Sequence, residues 1–297
     1  MPPPPVVAIY GPTASGKTAV AGLLRERLGG EVVSADAAAL YAGLPLLTAA
    51  PEYPARLVGI FPLAEEVSVG RFQHLAHEAI DEIVAEGRTA VVVGGTGLYL
   101  RAALAAFELP PPPSPEERER WTGFYDEAGA ERAHARLAEV DPDAAARLHP
   151  NDRKRVIRAL ELAEAGSSLG ADAGGLWAAD TRHPTLLVGI DGGSEERIRF
   201  RVAAQVAGGV VDEARRAWSA EPAETARRIL GLEQFATLPV EEAAEAVVRA
   251  SLRLARYQRK WLRRLPAAAT FAGDRPPEEI ADDIVALAGA GQPLSGR

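Results

Sequence analysis

The sequence predicts an α/β fold, with a parallel sheet between helical layers and an α-helical insertion. Three observations carry that expectation. Short apolar, β-branched runs at 6–10, 31–36, 89–93 and 186–191 alternate with helical stretches, the pattern of a parallel sheet. The first run enters Gly11-Pro12-Thr13-Ala14-Ser15-Gly16-Lys17-Thr18, which fits G-x-x-x-x-G-K-[ST] between a strand and a helix. The third run enters a second strand–glycine–helix junction, Gly94-Gly95-Thr96-Gly97, which should open on the same sheet edge. Together they describe a P-loop NTPase-like three-layer core.

Composition bounds the rest. A chain of 297 residues, 47% hydrophobic and 25% charged, suits a globular protein with one large domain or a core and a second lobe. It has no cysteine, which removes disulfide frameworks, thiolate nucleophiles and Cys-based zinc sites. The start, Met1-Pro2-Pro3-Pro4-Pro5, has no basic n-region or long apolar run, and no run of about 18 apolar residues follows. A cytoplasmic monomer that does not engage membranes is expected. The net charge of −8 argues against uniform coating by nucleic acid but leaves room for local basic patches.

The elements follow in order. The P-loop should aim backbone N–H groups and a helix N-terminus at an anion. Lys17 adds a point charge, and the Thr18 hydroxyl is placed to hold Mg²⁺. A helix over 19–28 should close at Gly29-Gly30. The strand at 31–36 ends in Asp36, which places a carboxylate at the carboxyl edge of the sheet, where ligands of open α/β folds bind. Residues 37–47 read as a short helix and a loop, and 56–60 as a strand. An amphipathic helix should span 68–86 and stop at Gly87. His74 and His77 lie on it without the acidic partner of H-E-x-x-H, so they read as surface or packing residues.

The strand at 89–93 carries no terminal acid, unlike the usual P-loop ATPase. Thr96, just beyond it, could reach a phosphate or a bound base. Asp191 reads as a strand-end turn residue. Four prolines at 110–113 mark a boundary, and Ser114-Pro115-Glu116-Glu117 reads as a capping box with proline at the first helical position. The predicted division is a core over 1–109, a mainly helical insertion over 110–181, and a return to the core over 182–297 with basic C-terminal helices. Residues 166–181 read as loop, and the tail after Gly289 as frayed.

Two segments are basic. Arg153, Lys154, Arg155 and Arg158 open one helix. Residues 251–264 hold Arg253, Arg256, Arg259, Lys260, Arg263 and Arg264 without an acid, with Tyr257 and Trp261 four apart. Cations with interleaved aromatics suit a nucleic-acid backbone and stacked bases. A solvated helix with its aromatics packed inward is the other reading.

Five stretches together resemble the tRNA dimethylallyltransferase (isopentenyltransferase) family. They are GPTASGKT at 11–18, SAD at 34–36 with Tyr41 and Gly43, VVVGGTGLYLRA at 91–102, DPDAAARLHPNDRKRVIRALE at 141–161 and ARYQRKWLRR at 255–264. The run 197–213 is a weaker sixth. They span nearly the whole chain in the family's order. The resemblance implies that Gly11 to Thr18 hold the diphosphate of dimethylallyl diphosphate rather than ATP. Thr13 and Lys17 would contact it and Thr18 would hold Mg²⁺. Asp36 would accept from the exocyclic amine of the adenosine beside the anticodon, making Asp36, Thr13 and Lys17 the catalytic set. The tRNA anticodon stem-loop would meet Asp36, Ala37, Ala38, Ala39, Thr96, Lys154, Arg155, Arg158, Arg256 and Arg259.

The chain departs from the family's pattern at several points. Alanines occupy 37–39 where a serine and a glutamine are usual. Ala50 replaces a basic residue, histidines near Arg56-Leu57 are missing, Ala203 stands for an aspartate, and Gly231-Leu232-Glu233-Gln234 carries an acid in place of a cation. Three other functions share parts of these motifs: an adenylate isopentenyltransferase, a P-loop small-molecule kinase, and a non-catalytic tRNA-binding relative.

Overall fold

The computed structural model describes residues 4–106, 109, 112–168 and 181–290. The prolines Pro110 and Pro111, most of the 166–181 stretch and the tail from 291 fall outside them. Six strands, β1 (Val6–Tyr10), β2 (Glu31–Ser34), β3 (Ala55–Arg56), β4 (Ala90–Gly94), β5 (Thr185–Asp191) and β6 (Ala269–Ala272), form one sheet in the order β3-β2-β4-β1-β5-β6. Every pairing is parallel. Parallel sheets need crossover helices on both faces, which is why the strands are near-continuous apolar runs.

Alternation along the strands sorts side chains between two layers. Val7, Ile9, Val91, Leu186, Val188 and Ile190 pack with Val20, Ala21 and Leu24 of α1 (Lys17–Arg27) and Ile280 and Ile284 of α14 (Pro277–Gly289). The opposite face carries α3 (Val69–Ala85) and α4 (Gly97–Leu104) over β4, and α13 (Val240–Leu262) against β5. The three-layer core expected from the sequence is therefore present. β1 lies between β4 and β5, with Tyr10 level with Gly94 and Gly189. That register puts the P-loop and the Gly94-Gly95-Thr96-Gly97 junction on one sheet edge.

The remaining helices of this unit are α2 (Pro45–Thr48), α9 (Glu195–Ala207), α10 (Val210–Ser219), α11 (Glu224–Arg227) and α12 (Leu232–Thr237). The chain divides into two compact units, Met1–Ala106 with Asp180–Arg297, and Phe107–Ala179. The second is helical: α5 (Pro115–Ala128), α6 (Ala130–Val140), α7 (Pro142–Arg147) and α8 (Arg153–Glu164). It has its own core of Tyr125, Ala133, Leu137, Val156, Ile157 and Leu160. The Ser114 hydroxyl accepts from the Glu117 N–H at 3.1 Å, and the Glu117 carboxylate returns to the Ser114 N–H at 2.7 Å, closing the capping box.

One local expectation is corrected. Residues 56–60 are not a strand: β3 ends at Arg56, because Leu57 adopts φ 62°, the left-handed region that breaks an extended run. Residues 37–47 hold the expected loop and short helix, with the loop first. The Asp36 carboxylate accepts the Ala38 N–H at 3.0 Å, and this side-chain turn competes with helix formation. The only helical turn nearby is α2, which opens on Pro45. The histidines behave as expected: His74 lies beside Glu78 on the surface, and His77 is buried against the Ala102 carbonyl.

Candidate active site

A cleft of about 280 Å³ opens at the carboxyl edge of the sheet. Its walls include the P-loop residues Thr13 to Thr18, then Asp36, Ala39, Thr96, Arg201 and Gln258. The strand order explains the assembly. β1 delivers the P-loop, β2 delivers Asp36 two residues past its end, and β4 delivers Gly94 to Thr96.

The P-loop turns on Gly16, whose φ of 92° no side chain adopts easily. α1 starts at the next residue, so its unpaired N–H groups and partial positive charge face the cleft. Lys17 Nζ donates to the Pro12 carbonyl at 3.1 Å. Burial pulls its pKa down to about 8, with Asp36 opposing the shift and Arg201 adding to it. Arg201, on α9, is likewise pushed downward, first by burial, with Asp36 again opposing. These mutual effects place one carboxylate and two cations within electrostatic reach of each other.

Two buried polar atoms of cleft residues lack a partner among the described residues: the Ser15 hydroxyl and Arg201 Nε. Ser15 is only 1% exposed. Buried donors are satisfied almost everywhere in folded proteins, and leaving one unpaired costs about 1–3 kcal/mol. Two such atoms beside the P-loop and the N-terminus of α1 give this end of the cleft unmet hydrogen-bonding capacity.

The cleft's polar supports come from far along the chain. Gln258 of α13 accepts the Thr13 N–H at 2.8 Å and donates to the Gly95 carbonyl at 2.8 Å. Glu213 of α10 accepts the Leu46 and Leu47 N–H groups at 3.1 and 2.7 Å. Gln205 of α9 donates to the carbonyls of the same two residues. These bonds seat α2, whose last residue Thr48 lines the cleft together with Ala49, Ala50 and Pro51 just beyond it.

The residues singled out from the sequence do not all share this place. Thr13, Ala14, Ser15, Gly16, Lys17, Thr18, Asp36, Ala39 and Thr96 line the cleft, whereas Gly11, Pro12, Ala37 and Ala38 stand behind or beside it. Thr96 precedes α4 without capping it through its side chain. Arg256 is exposed without an ionic partner among the described residues, but Arg259 pairs with Asp191 at 3.0 Å and donates to the Gly192 carbonyl at 2.7 Å. Lys154, Arg155 and Arg158 belong to the other unit, on α8. Lys154 and Arg155 are exposed, and Arg158 is held by the buried Glu161 at 3.1 Å.

Sequence reasoning missed Gln258, Arg201, Gln205 and Glu213 as site residues. A signal existed for two of them. Gln258 is an uncharged amide inside an otherwise cationic run, and Arg201 lies one helical turn after Arg197.

The family model described as IPP transferase matches residues 39–265. The chain belongs to the IPP transferase family. The match starts just after Asp36. The tRNA dimethylallyltransferase of Salinispora tropica is 40% identical over 277 residues, covering 88% of this chain and 86% of that one. Its counterpart in Anaeromyxobacter dehalogenans is 40% identical over 294 residues, covering 93% and 97%. Among solved structures, the full-length tRNA isopentenylpyrophosphate transferase of Bacillus halodurans superposes with a TM-score of 0.67 at 31% identity. It covers 96% of this chain and 97% of that chain.

Proposed function

We propose that this chain transfers a dimethylallyl group from dimethylallyl diphosphate to the exocyclic amine of the adenosine next to the anticodon in tRNA. The observation that carries the reading is the cleft itself. Lys17, Arg201 and the P-loop amides gather positive potential at one place, and Asp36 adds a carboxylate to the same cleft. A leaving diphosphate needs the first and an adenine amine needs the second.

In the reaction the allylic C–O bond breaks and its electron pair goes to the diphosphate. The amine nitrogen bonds to the allylic carbon and loses a proton. Adenine's amine is a weak nucleophile, so a carboxylate positioned to take that proton supplies an effect of about 10²–10⁴-fold. Lys17, Arg201 and the N–H groups of Gly16, Lys17 and Thr18 at the start of α1 would offset the developing diphosphate charge. Thr13 would contact the same group through its side chain, since its N–H is already held by Gln258.

The oxygen donors at the mouth of the cleft suit a hard cation. Mg²⁺ binds through one or two protein oxygens, several waters and substrate phosphates, and the Thr18 hydroxyl is exposed to the cleft for that purpose. Bound there, it would add charge neutralisation to the leaving group. No described cluster of three acidic or histidine side chains offers a separate metal cage.

The acceptor base must leave its stack to reach Asp36, at a cost of a few kcal/mol that is least in an unpaired loop. Backbone contacts from Arg256 and from Lys154, Arg155 and Arg158 would supply compensating binding, with Arg259 shaping the neighbouring loop. Ala37, Ala38 and Ala39 leave the base without side-chain hydrogen bonds at those positions. Recognition would then fall to Thr96 and to shape. We further infer that the protein acts as a monomer in the cytoplasm; none of the described helices is long and apolar enough to cross a membrane.

The test is direct. The protein is incubated with dimethylallyl diphosphate, Mg²⁺ and unmodified tRNA, and the digested RNA is searched by mass spectrometry for isopentenyladenosine. Absence of that nucleoside, together with absence of donor binding, refutes the reading. Modification of free AMP in preference to tRNA would assign the activity to an adenylate isopentenyltransferase instead.

A further inference from the structure

We propose that Gln258 is a positioning residue that holds the donor cradle and the acceptor-facing junction in register. Its loss would let water, rather than the adenine amine, capture the allyl group. This rests on the transferase reading above.

The geometry is specific. The P-loop and the Gly94-Gly95-Thr96-Gly97 junction leave adjacent parallel strands and approach each other. Their direct backbone link is weak, with the Gly11 N–H reaching the Gly94 carbonyl at 3.4 Å. Gln258 supplies the two short bonds between them: Thr13 N–H to Oε1 and Nε2–H to the Gly95 carbonyl, both 2.8 Å. A primary amide is suited to that task, because one planar group offers an acceptor and a donor side by side. The clamp is anchored in turn. The Tyr10 hydroxyl, at the end of the central strand, donates to the Gln258 carbonyl at 3.1 Å. Gln258 is only 5% exposed, although Tyr257 before it and Arg256 and Lys260, two residues to either side, are exposed.

Those two loops carry the proposed halves of the reaction. In that reading the P-loop holds the donor's diphosphate, and Thr96, from the second junction, lines the same cleft as Asp36. A displacement of about 1 Å between reacting groups is enough to cost about 10²-fold in rate. Removing the amide would also leave the Thr13 N–H and the Gly95 carbonyl unpaired, and buried polar groups without partners recruit water. In the uncoupled reaction the allylic C–O bond breaks as before, and the diphosphate keeps the electron pair. A water oxygen then bonds to the allylic carbon and releases a proton, giving dimethylallyl alcohol.

The experiment uses the full chain with dimethylallyl diphosphate, Mg²⁺ and an anticodon stem-loop RNA. It measures diphosphate released and RNA alkylated in the same samples. The native protein should release one diphosphate for each group transferred. Gln258→Met fills the same space without hydrogen bonds. It should lower transfer by about 10²-fold while release falls less, with dimethylallyl alcohol making up the difference and RNA affinity unchanged. Gln258→Glu keeps the acceptor for Thr13 but not the donor to Gly95, so its release-to-transfer ratio should also rise. Melting curves establish that the variants are folded, and if the methionine variant is not, the glutamate variant decides by the same ratio. Native alkylation with unchanged coupling in the folded variants overturns the role of Gln258 and leaves the transferase reading standing. A native protein that alkylates no RNA overturns both.

Discussion

At the scale of the residue, the cleft works by setting opposite charges against each other in a partly dry place. Lys17 illustrates the consequence. Burial holds its pKa near 8 in the free protein, so a growing fraction is neutral above that pH. A diphosphate recruits the protonated form. Donor affinity should therefore be flat below about pH 7 and fall about tenfold per unit above the Lys17 pKa. Calorimetric titration of the donor across that range checks this, and Lys17→Met should bind weakly with no alkaline decline. Arg201 lines the same cleft and has a buried Nε with no partner among the described residues. Arg201→Gln should weaken donor binding by about tenfold or more, the scale of one lost charge-assisted bond, and should leave RNA binding alone. Asp36 separates binding from chemistry. Asp36→Ala should reduce transfer by about 10²-fold or more while donor affinity, measured in the same titration, stays within a few-fold of native.

At the scale of the element, the site depends on helices that come late in the chain. α2 is a single turn, too short to be stable alone, and its place is set by Glu213 and Gln205. Glu213 is 4% exposed and satisfies two backbone donors. Glu213→Ala should cost about 1–3 kcal/mol in a urea melt and should raise the donor KM, because Ala49 to Pro51 follow directly from α2. α4 shows the same dependence through packing. A Cβ at Gly97 would run into the Trp261 indole of α13. The two aromatics on that helix thus divide: Trp261 packs against the glycine junction, whereas Tyr257 is exposed. The basic helix is divided too, because Arg259 is engaged at the end of β5 and Arg256 is free of ionic partners among the described residues.

At the scale of the whole molecule, a chain of net charge −8 must bind RNA through local cationic surfaces. Its RNA affinity should fall steeply with salt. Arg256→Ala should lower the slope of log affinity against log salt by about one phosphate contact, while changing discrimination between sequences little. Filter binding at several salt concentrations measures both. The main strands of the parallel sheet, the P-loop and Asp36 were legible in the sequence, because each lies in a contiguous run whose period or motif states its own geometry, whereas the order of the strands came only from the structure. The P-loop could be read in eight residues because the turn it makes between a strand and a helix is set by a contiguous motif. Asp36 could be read because strand ends in an α/β sheet share one edge. The short β3 and the turn after Asp36 were not legible, since a left-handed Leu57 and a side-chain-capped Ala38 N–H are decided by local competition that propensity does not resolve. Gln258, Arg201, Glu213 and Gln205 were not legible as site residues either. Each lies more than 150 residues from the loop it supports or the P-loop it faces. Sequence by itself determined the fold class, the anion cradle and the carboxylate, which depend on local geometry. Only the tertiary structure decided which distant side chains complete them, because hydrogen bonds and buried charges act through space and not along the chain.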